Sequence, residues 1–440
     1  MAELKVQLKQ HTPIIHFQHD QEGATLRASE LKPKLDKYLI EKFEKENIDY
    51  KKWLIGKGEH QALNYKVKII TDGNFSYYFP LPLKPESNKH PDRSNNLLIF
   101  LKKKFDLDIN ILAPTSFFAN SDKIKFKKDD SIDENKTEAD KFLFALFTNS
   151  DIKIYFNSWD EKIVQQLEKA IVHFFLTHNF GSRQNKGFGS FTVKYIDGNE
   201  INFVEKELNP YFFKKSIFTN TDFNKLFEFI LSEYQLLKNG KGHPYKKSEL
   251  FKYFINKQIR WEKRYIKQQI NVNKILNKEL FYDKKATPID IDDKTSEDYN
   301  AWEDKQKNKY KYVRALLGLA EHFEFNIFAE SKDKNGNWIK EKYYDSNKKY
   351  LVAIEHIPKS GGEKIQRFPS PILFKIINGS VYLGINHSYK RLLGEKFEFH
   401  LKLKGDIKDT KKNIGPLFVP DEFDIEDFIN KHLSISWDDL

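Results

Sequence analysis

The stretch SWDEKIVQQLEKAIVHFFLTHNFGSRQNKGFGSFTVKYI, residues 158–196, holds a helix, a glycine-rich loop and a strand in succession. Its first part predicts a helix, because the apolar residues recur at the spacing of one helical face; they are Ile163, Val164, Leu167, Ile171, Phe174 and Phe175. Ser158 and Glu161 predict a capping box at the start of that helix. Gly181 predicts its end, and residues 188–196 predict a strand.

Further strands and a second helix precede this stretch. Leu4, Val6 and Leu8 alternate with polar residues, as in a half-buried strand, and residues 65–69 and 152–156 do the same. Helical spacing between Leu31 and Phe43 predicts a helix with Pro33 in its first turn. A short apolar strand is predicted at 97–101 and an exposed loop or insertion at 119–140. The order strand–helix–strands–helix–strand predicts an α+β fold with a ferredoxin-like sheet.

The character of the sequence changes near residue 206. Residues 222–238 and 246–280 are predicted to be mainly helical, and a short helix is predicted near the C-terminus. Asn378-Gly379 predicts a hairpin turn, because both turn residues need positive φ. The remaining predicted strands are 323–328, 350–357, 372–377 and 381–385. We therefore predict two domains, residues 1–205 and residues 206–440.

The composition indicates a globular, basic chain. Its 440 residues include 74 Lys and Arg against 63 Asp and Glu, a net charge of +11. This surplus favours a polyanionic partner, since cations that neutralise phosphates release counterions, but lysine used for solubility explains it equally well. The absence of Cys excludes disulfides, thiolate metal sites and a cysteine nucleophile. Because no apolar run reaches membrane-spanning length and no signal sequence is visible, we expect a soluble, cytoplasmic protein.

The glycine-rich loop is the clearest functional candidate. Gly181, Gly187 and Gly189 permit positive φ and a close approach of another chain to the backbone. The residues between the first two glycines supply hydrogen-bond donors that suit phosphate, with no acid among them. The loop runs from helix to strand, whereas nucleotide-binding loops run from strand to helix. A flexible connection with a glycine cap is the alternative without a binding role.

Three motifs resemble the RAMP superfamily of CRISPR-associated proteins. The first is the helix, the G-x-R-x-x-x-G-F-G-S loop that begins at Gly181, and the strand. The second combines His11-Thr-Pro-Ile-Ile15 with Leu26-Arg-Ala-Ser-Glu-Leu-Lys32, which are similar to the family's first strand and helix entry. The third, Arg367-Phe-Pro-Ser-Pro-Ile-Leu373, is similar to a segment of the type III-B effector subunit near the 3′ end of the guide RNA. Pro33 departs from the family pattern, which has glycine there.

The resemblance implies two ferredoxin-like (RRM-related) domains with helical insertions, and a non-catalytic RNA-binding role in a type III effector of antiviral defence. The expected partners are guide RNA, target RNA and other effector subunits, and no cofactor or metal is expected. The expected RNA contacts lie in the helix entry, the loop and the third motif: Arg27, Lys32, Lys34, Gly181, Ser182, Arg183, Gln184, Asn185, Lys186, Gly187, Phe188, Gly189 and Arg367.

Residues 246–280 offer a second basic surface. Aromatic residues interleave there with cations, a pattern typical of single-stranded RNA binding because bases stack while phosphates pair. Four cations are predicted to share one helix face: Arg260, Lys263, Arg264 and Lys267. An amphipathic helix with buried aromatics explains the same pattern.

Two other groups allow different readings. The first is a cluster of histidines, His11, His16 and His19. Some RAMP proteins are endoribonucleases that cleave RNA by general acid–base chemistry without metal, and a histidine of this cluster could play that part or could simply contact RNA. A metal site there would lack a carboxylate at suitable spacing. The second is an acidic run that includes Asp290, Asp292 and Asp293. This run predicts a solvated linker or a surface that faces a basic neighbouring subunit, since it lacks the glycine and the ligand spacing of a calcium-binding loop. A scaffold subunit that touches only proteins is a further alternative.

Overall fold

The computed structural model describes most of the chain. The described residues are 1–16, 25–56, 58, 61–209, 211–240, 246–263, 265–266, 286–287, 310–319, 322–326, 328–332, 338–342, 349–358, 362, 364–366, 368–403, 412–434 and 436–440. The fold is α+β, as the sequence predicts.

The α-helices are α1 (Ala28–Lys45), α2 (Arg93–Phe105), α3 (Glu161–Thr177), α4 (Phe223–Lys238), α5 (Glu249–Asn256) and α6 (Ile425–His432). The strands of the first half are β1 (Ala2–Gln10), β2 (Ile14–Ile15), β3 (Leu54–Ile55), β4 (Ala62–Leu63), β5 (Lys66–Ile70), β6 (Ser76–Pro80), β7 (Ile109–Leu112), β8 (Ala145–Phe147), β9 (Ile152–Ser158), β10 (Phe191–Ile196), β11 (Asn199–Glu200) and β12 (Phe212–Thr219). Those of the second half are β13 (Arg260–Trp261), β14 (Ala286–Thr287), β15 (Tyr310–Lys311), β16 (His322–Asn326), β17 (Phe328–Lys332), β18 (Trp338–Lys342), β19 (Lys349–Ile357), β20 (Ile372–Ile377), β21 (Ser380–Ile385), β22 (Lys396–Leu403), β23 (Lys412–Phe418) and β24 (Trp437–Asp439).

The chain forms two compact units that are not continuous in sequence. The first comprises Met1–Tyr234, Ile372–Ile385 and Leu433–Leu440, and the second comprises Gln235–Pro371 and Asn386–His432. The predicted boundary after residue 205 does not coincide with this division. β12 lies beyond that boundary, yet it pairs with β21 and β24 in a sheet that belongs to the first unit.

The first sheet of the first unit has the order β11-β10-β1-β9-β5, and each neighbouring pair is antiparallel. The predicted alternation in β1 and β9 is confirmed, because Leu4, Val6 and Leu8 are buried with Ile154 and Phe156. The predicted apolar face of α3 is buried in the same core, and so are the inward residues of α1. Burial of these alternating and helical faces on one another produces the hydrophobic core of this part.

Three predictions about helix ends are wrong. α3 is capped by Asp160, whose side chain accepts from the Lys162 N–H (2.9 Å), while Ser158 Oγ donates to Asn64 O instead of capping the helix. The helix ends at Thr177, before the glycine-rich loop, rather than at Gly181. Pro33 lies inside α1, beyond its first turn.

Residues 75–147 join β2 in a smaller sheet with the order β2-β8-β6-β7. The predicted strand at 97–101 is wrong, because these residues belong to α2, where Leu97 and Leu101 are buried and Ile99 is exposed. Leu97 and Leu101 stand one helical turn apart, so the helix buries both on one side. The predicted loop at 119–140 is only partly exposed, since Ile124 and Ile132 pack in the same core.

The second sheet of the first unit has the order β20-β21-β12-β24. β20 and β21 form the predicted hairpin, and both Asn378 (φ 51°) and Gly379 (φ 83°) have positive φ, as its turn requires.

In the second unit, a sheet has the order β13-β15-β23-β22-β19-β16 and a smaller one has the order β14-β17-β18. The predicted helix 246–280 is interrupted: α5 ends at Asn256, and Arg260 begins a short strand parallel to β15. The predicted strand 323–328 is divided between β16 and β17. The predicted C-terminal helix is confirmed as α6.

Candidate functional site

The glycine-rich loop, residues 181–189, packs on the segment that follows β1. The Ser182 N–H donates to Ile15 O (2.8 Å), and the Gly189 N–H donates to Pro13 O (2.9 Å). The glycine-rich loop and the segment after β1 therefore lie side by side in the first unit, although they are far apart in the sequence.

Two glycines of the loop are required by close approaches within the chain itself. A Cβ atom at Gly181 (φ +76°) would lie 2.6 Å from Ile15 O, and one at Gly189 (φ +63°) would lie 2.0 Å from Phe180 O. Contacts this short exclude any larger residue without a shift of the backbone. The sequence predicts that these glycines admit an approaching RNA chain, whereas in the structure their lack of a side chain permits close packing within the protein itself.

The two cations of the loop have different environments. Lys186 is only 9 % exposed, and its Nζ lies 2.8 Å from the centre of the Tyr234 ring, in a cation–π contact. Phe188 is fully buried and stacks on Phe227 with ring centres 4.0 Å apart. The structure thus places Lys186 and Phe188, both expected to contact RNA, in the interior of the first unit.

Arg183 is exposed at the outer turn of the loop. Its φ is 57°, in the left-handed region that residues with a Cβ rarely adopt. The Lys186 N–H donates to Arg183 O (2.8 Å) and closes the turn. Ser182, Gln184 and Asn185 beside it are partly exposed. The surface of the loop is therefore one guanidinium flanked by polar side chains.

The entry of α1 is tied to the loop by charged groups. Glu30 Oε1 accepts from the Gly181 N–H (2.7 Å) and from Lys34 Nζ (2.8 Å). Lys34 Nζ also donates to Gln184 Oε1 (2.8 Å). Arg27, the N-cap residue of α1, is partly buried. The helix entry and the loop therefore meet, and Lys34 takes part in joining them.

Lys32 lies on the same helix but away from the loop. Its Nζ donates to Asp36 Oδ2 (2.7 Å) and to Leu63 O (2.9 Å), and it lies 4.1 Å from the centre of the Tyr65 ring. These contacts hold α1 to the region of β4.

β20 also contacts the loop, and no pattern in the sequence predicts this contact. The Phe374 N–H donates to Asn185 O (3.3 Å), and Phe374 O accepts from Asn179 Nδ2 (2.9 Å). Ser190 Oγ donates to Ile376 O (2.6 Å). The loop is consequently held between the segment after β1 and a strand encoded almost 190 residues later.

Lys375, between those two residues of β20, is completely buried. Its Nζ donates to Phe175 O (2.7 Å), His178 O (2.9 Å) and Phe191 O (3.0 Å). Burial holds the pKa of Lys375 well below its usual range. The only signal in the sequence is a single lysine within an apolar strand, and by itself it does not indicate which groups the lysine meets.

His11 and His16 are both buried. His11 Nδ1 accepts from the Asn378 N–H (3.2 Å), so Nε2 carries the proton and donates to Thr192 Oγ1 (2.8 Å). Burial, with smaller contributions from Lys375 and Lys9, lowers the pKa of His11 to about 3. His16 Nε2 bonds to Thr25 O, and burial lowers its pKa, although Thr25 O and Glu30 oppose the shift. Both rings are engaged by the protein.

The second basic surface differs from its prediction. Arg260 is buried in β13, where Nη1 donates to Tyr310 OH (3.3 Å), while Lys263 is exposed. The two residues therefore do not share an exposed helix face. The aromatic residues expected to stack on bases are largely buried, as the amphipathic alternative requires: Phe251, Tyr253, Phe254 and Trp261.

Glu262, beside these residues, is a completely buried acid that the sequence analysis passed over. It accepts hydrogen bonds from Arg314 Nε and Trp261 Nε1, and from the Val313 N–H at 3.0 Å. This network lies within the second unit and indicates a structural role.

Some predicted residues lie outside the described part of the chain: His19, Arg264, Lys267, Arg367 and the acidic run at 290–293. Among the described residues, no three His, Asp or Glu side chains are grouped as metal ligands would be. Within the same residues, no helix is both long enough and apolar enough to cross a membrane.

Comparison with protein families accounts for nearly the whole chain. The family model described as the Cmr1 N-terminal domain matches residues 1–241, and the one described as the Cmr1 C-terminal domain matches residues 245–435. No curated protein matches the chain significantly.

Proposed function

Because this chain belongs to the Cmr1 family and is therefore a subunit of a type III-B CRISPR effector complex, we propose that it binds RNA there without cleaving it. The RNA would be the guide or the target near the 3′ end of the guide, in the cytoplasm. Other subunits of the complex are its protein partners. Guide–target pairing would supply sequence specificity, so contacts to the RNA backbone would dominate here.

The observation that carries this proposal is the exposed Arg183 on a loop that is otherwise internally bonded. A left-handed φ costs a residue with a Cβ about 1 kcal/mol, so the surrounding hydrogen bonds hold Arg183 against its own preference. A guanidinium held in place binds phosphate with less loss of side-chain freedom than a mobile one. Glu30, the acid of the α1 entry that bonds to the loop, is already engaged with Lys34 and the Gly181 N–H.

The geometry of the histidines supports a non-catalytic role. General acid–base cleavage needs a ring nitrogen that can reach the RNA and a pKa near the working pH. His11 is buried, both its nitrogens are bonded within the protein, and its pKa is about 3. Incubation of the purified protein with repeat-containing RNA in the absence of metal should therefore leave the RNA intact. Cleavage that is lost in His11→Ala or His16→Ala would contradict this part of the proposal.

We also propose that two sheets of the first unit, β11-β10-β1-β9-β5 and β20-β21-β12-β24, are ferredoxin-like. In chain order the first has β1, α1, β5, β9, α3 and β10, and its strands lie fourth–first–third–second. The second has β12, α4, β20, β21 and β24 in chain order, and its strands lie in the same arrangement, while α6, which precedes β24 in the chain, belongs to the second unit. This shared order supports the assignment, since a split β-α-β fold places its strands in this way.

RNA binding is tested with the full chain and a fluorescent single-stranded RNA, by anisotropy over a series of salt concentrations. Arg183→Ala should weaken binding and reduce the slope of log K against log salt by about 0.7, the value for one phosphate contact to a single strand. Arg391→Ala is the control, because Arg391 is also exposed and the change in charge is equal. Its slope should match that of the unmodified chain.

Two results would contradict the proposal. If the unmodified chain shows no salt-dependent binding, a protein-only scaffold becomes the better description. If Arg183→Ala and Arg391→Ala reduce the slope equally, the chain binds RNA through its overall charge, and the loop has no special part in it.

A further inference from the structure

Three consecutive residues of β20 contact the glycine-rich loop or the residues that flank it. The Phe374 N–H donates to Asn185 O within the loop, and Ile376 O accepts from Ser190 Oγ just after it. Lys375, between them, directs its ammonium to carbonyl groups that precede and follow the loop.

We propose that Lys375 is a positioning residue for RNA binding: it sets the shape of the glycine-rich loop by joining the carbonyl groups at its two ends. His178 O precedes the loop and Phe191 O follows it, yet both lie within 3.0 Å of the same Nζ atom. The third acceptor, Phe175 O, belongs to the last turn of α3. The ammonium thus fixes where the loop leaves the helix and where it joins β10.

The chemistry of this contact suits an ammonium better than other groups. An ammonium has three donors, and three carbonyl oxygens lie within hydrogen-bond distance of it. Phe175 O and His178 O lie at the C-terminal end of α3, where the helix dipole favours a cation. A backbone carbonyl that is buried without a donor is costly, so removal of the ammonium would leave three groups that favour a different arrangement of the chain.

The effect on RNA follows from the path of the chain. Arg183 lies in the outer turn, and its left-handed backbone depends on the shape of the loop. If the ends of the loop separate, Arg183 can relax to a more favourable φ and lose its fixed direction. This inference rests on the proposed RNA binding for its functional consequence, but the effect of Lys375 on the loop can be measured without RNA.

The first measurement uses a spin label on the loop. The chain has no Cys, so Ser182→Cys provides a single site for a nitroxide, and Asn199→Cys provides an exposed control site on β11 of the same unit. Lys375→Met keeps the length of the side chain and removes the donors. We expect the spectrum at Ser182→Cys to shift to faster motion in the Lys375→Met background, while the spectrum at Asn199→Cys stays unchanged.

The second measurement is the dissociation constant for single-stranded RNA. Lys375→Met should weaken binding, but by no more than Arg183→Ala does, because it leaves the guanidinium present and only releases its direction. The double variant should bind no more weakly than Arg183→Ala alone, because both changes act on the same contact. Lys215→Met is the matched control: it removes a lysine from β12 of the same sheet, where Nζ pairs with Glu205 Oε1 (2.8 Å) away from the loop. It should bind RNA as the unmodified chain does.

The outcomes separate the two proposals. Unchanged label motion at Ser182→Cys, or equal loosening at Asn199→Cys, would refute the positioning role whatever the RNA result. If the nitroxide at Ser182→Cys moves faster in the Lys375→Met background but the RNA affinity is unchanged, Lys375 shapes the loop without affecting RNA binding, and that part of the proposal is refuted. If even the unmodified chain binds no RNA, the proposed function fails while the label still decides the role of Lys375. If circular dichroism shows Lys375→Met to be unfolded, Lys375→Gln, which keeps an amide donor, is measured in its place with the same criteria.

Discussion

Acidification should destabilise the first unit through His11, and the size of the effect follows from its surroundings. The ring is buried, bonds to Thr192 Oγ1 and the Asn378 N–H, and has two lysines as neighbouring charges. Its pKa is about 3 when folded, against 6.5 for an ordinary histidine. Between these values the unfolded chain binds a proton that the folded chain does not, so stability falls as pH falls.

From pH 7 to pH 5 this single group should cost about 2 kcal/mol of unfolding free energy, since each pKa unit is worth about 1.4 kcal/mol. Stability is fully present above pH 6.5 and continues to fall until the pH reaches about 3. His178, whose pKa burial lowers to about 4, should add a loss of the same sign. Urea unfolding at a series of pH values measures the total.

His11→Gln isolates the contribution of His11, because an amide does not titrate. The variant should be less stable at pH 7 but should lose about 2 kcal/mol less than the unmodified chain between pH 7 and pH 5. His387→Gln, at an exposed position, is the control and should keep the original pH dependence. The reasoning fails if His11→Gln and the unmodified chain have parallel pH profiles, or if an NMR titration places the pKa of His11 near 6.5. The latter result would also restore His11 as a candidate acid–base group.

Two further changes test the packing. Gly189→Ala should lower the unfolding free energy by more than about 2 kcal/mol, because its Cβ would meet Phe180 O. Gly198→Ala is the control: Gly198 also has positive φ but has open space around it, so this change should lower the unfolding free energy by about 1 kcal/mol. Equal losses in thermal unfolding would show that the close approach at Gly189 is unimportant. Glu262→Gln should lower the unfolding free energy by about 3 kcal/mol or more, because it weakens a buried ion pair with Arg314. Glu355→Gln, at the exposed pair with Lys364, is the control and should lower it by less than about 1 kcal/mol. Similar losses in urea unfolding would contradict the structural role of Glu262.

The sequence predicted best where a periodic pattern reports burial directly. α3 has six apolar residues on one face, and all six are buried. The apolar run at 97–101 was too short for its period to distinguish a strand from a helix. The structure resolves it as a helix, because only that geometry buries Leu97 and Leu101 while Ile99 remains in solvent.

The environment of the loop could not be predicted, since it depends on partners that are distant in sequence. Composition treats Arg183 and Lys186 alike, yet Lys186 is buried against Tyr234 and Arg183 is exposed. Lys375 gave no signal beyond being a charge in an apolar strand, because its three acceptors are backbone carbonyls that no side-chain pattern records. Which residues meet across such distances is a property of the sheet order, and the sheet order was not visible in the sequence.

The distance along the chain between the glycine-rich loop and β20 also has a consequence for synthesis. Every residue of the first sheet has been made by Glu200, but the strand that holds the loop begins at Ile372, and the sheet of that strand is completed only by Trp437–Asp439. At the usual roughly 5–20 residues per second, the loop waits about 10–40 s for its partner strand. During that interval Asn185 and Ser190 lack their hydrogen-bond partners on β20, and His178 O and Phe191 O lack the Lys375 ammonium. A stalled or truncated nascent chain would therefore present a finished first sheet with an incompletely bonded glycine-rich loop.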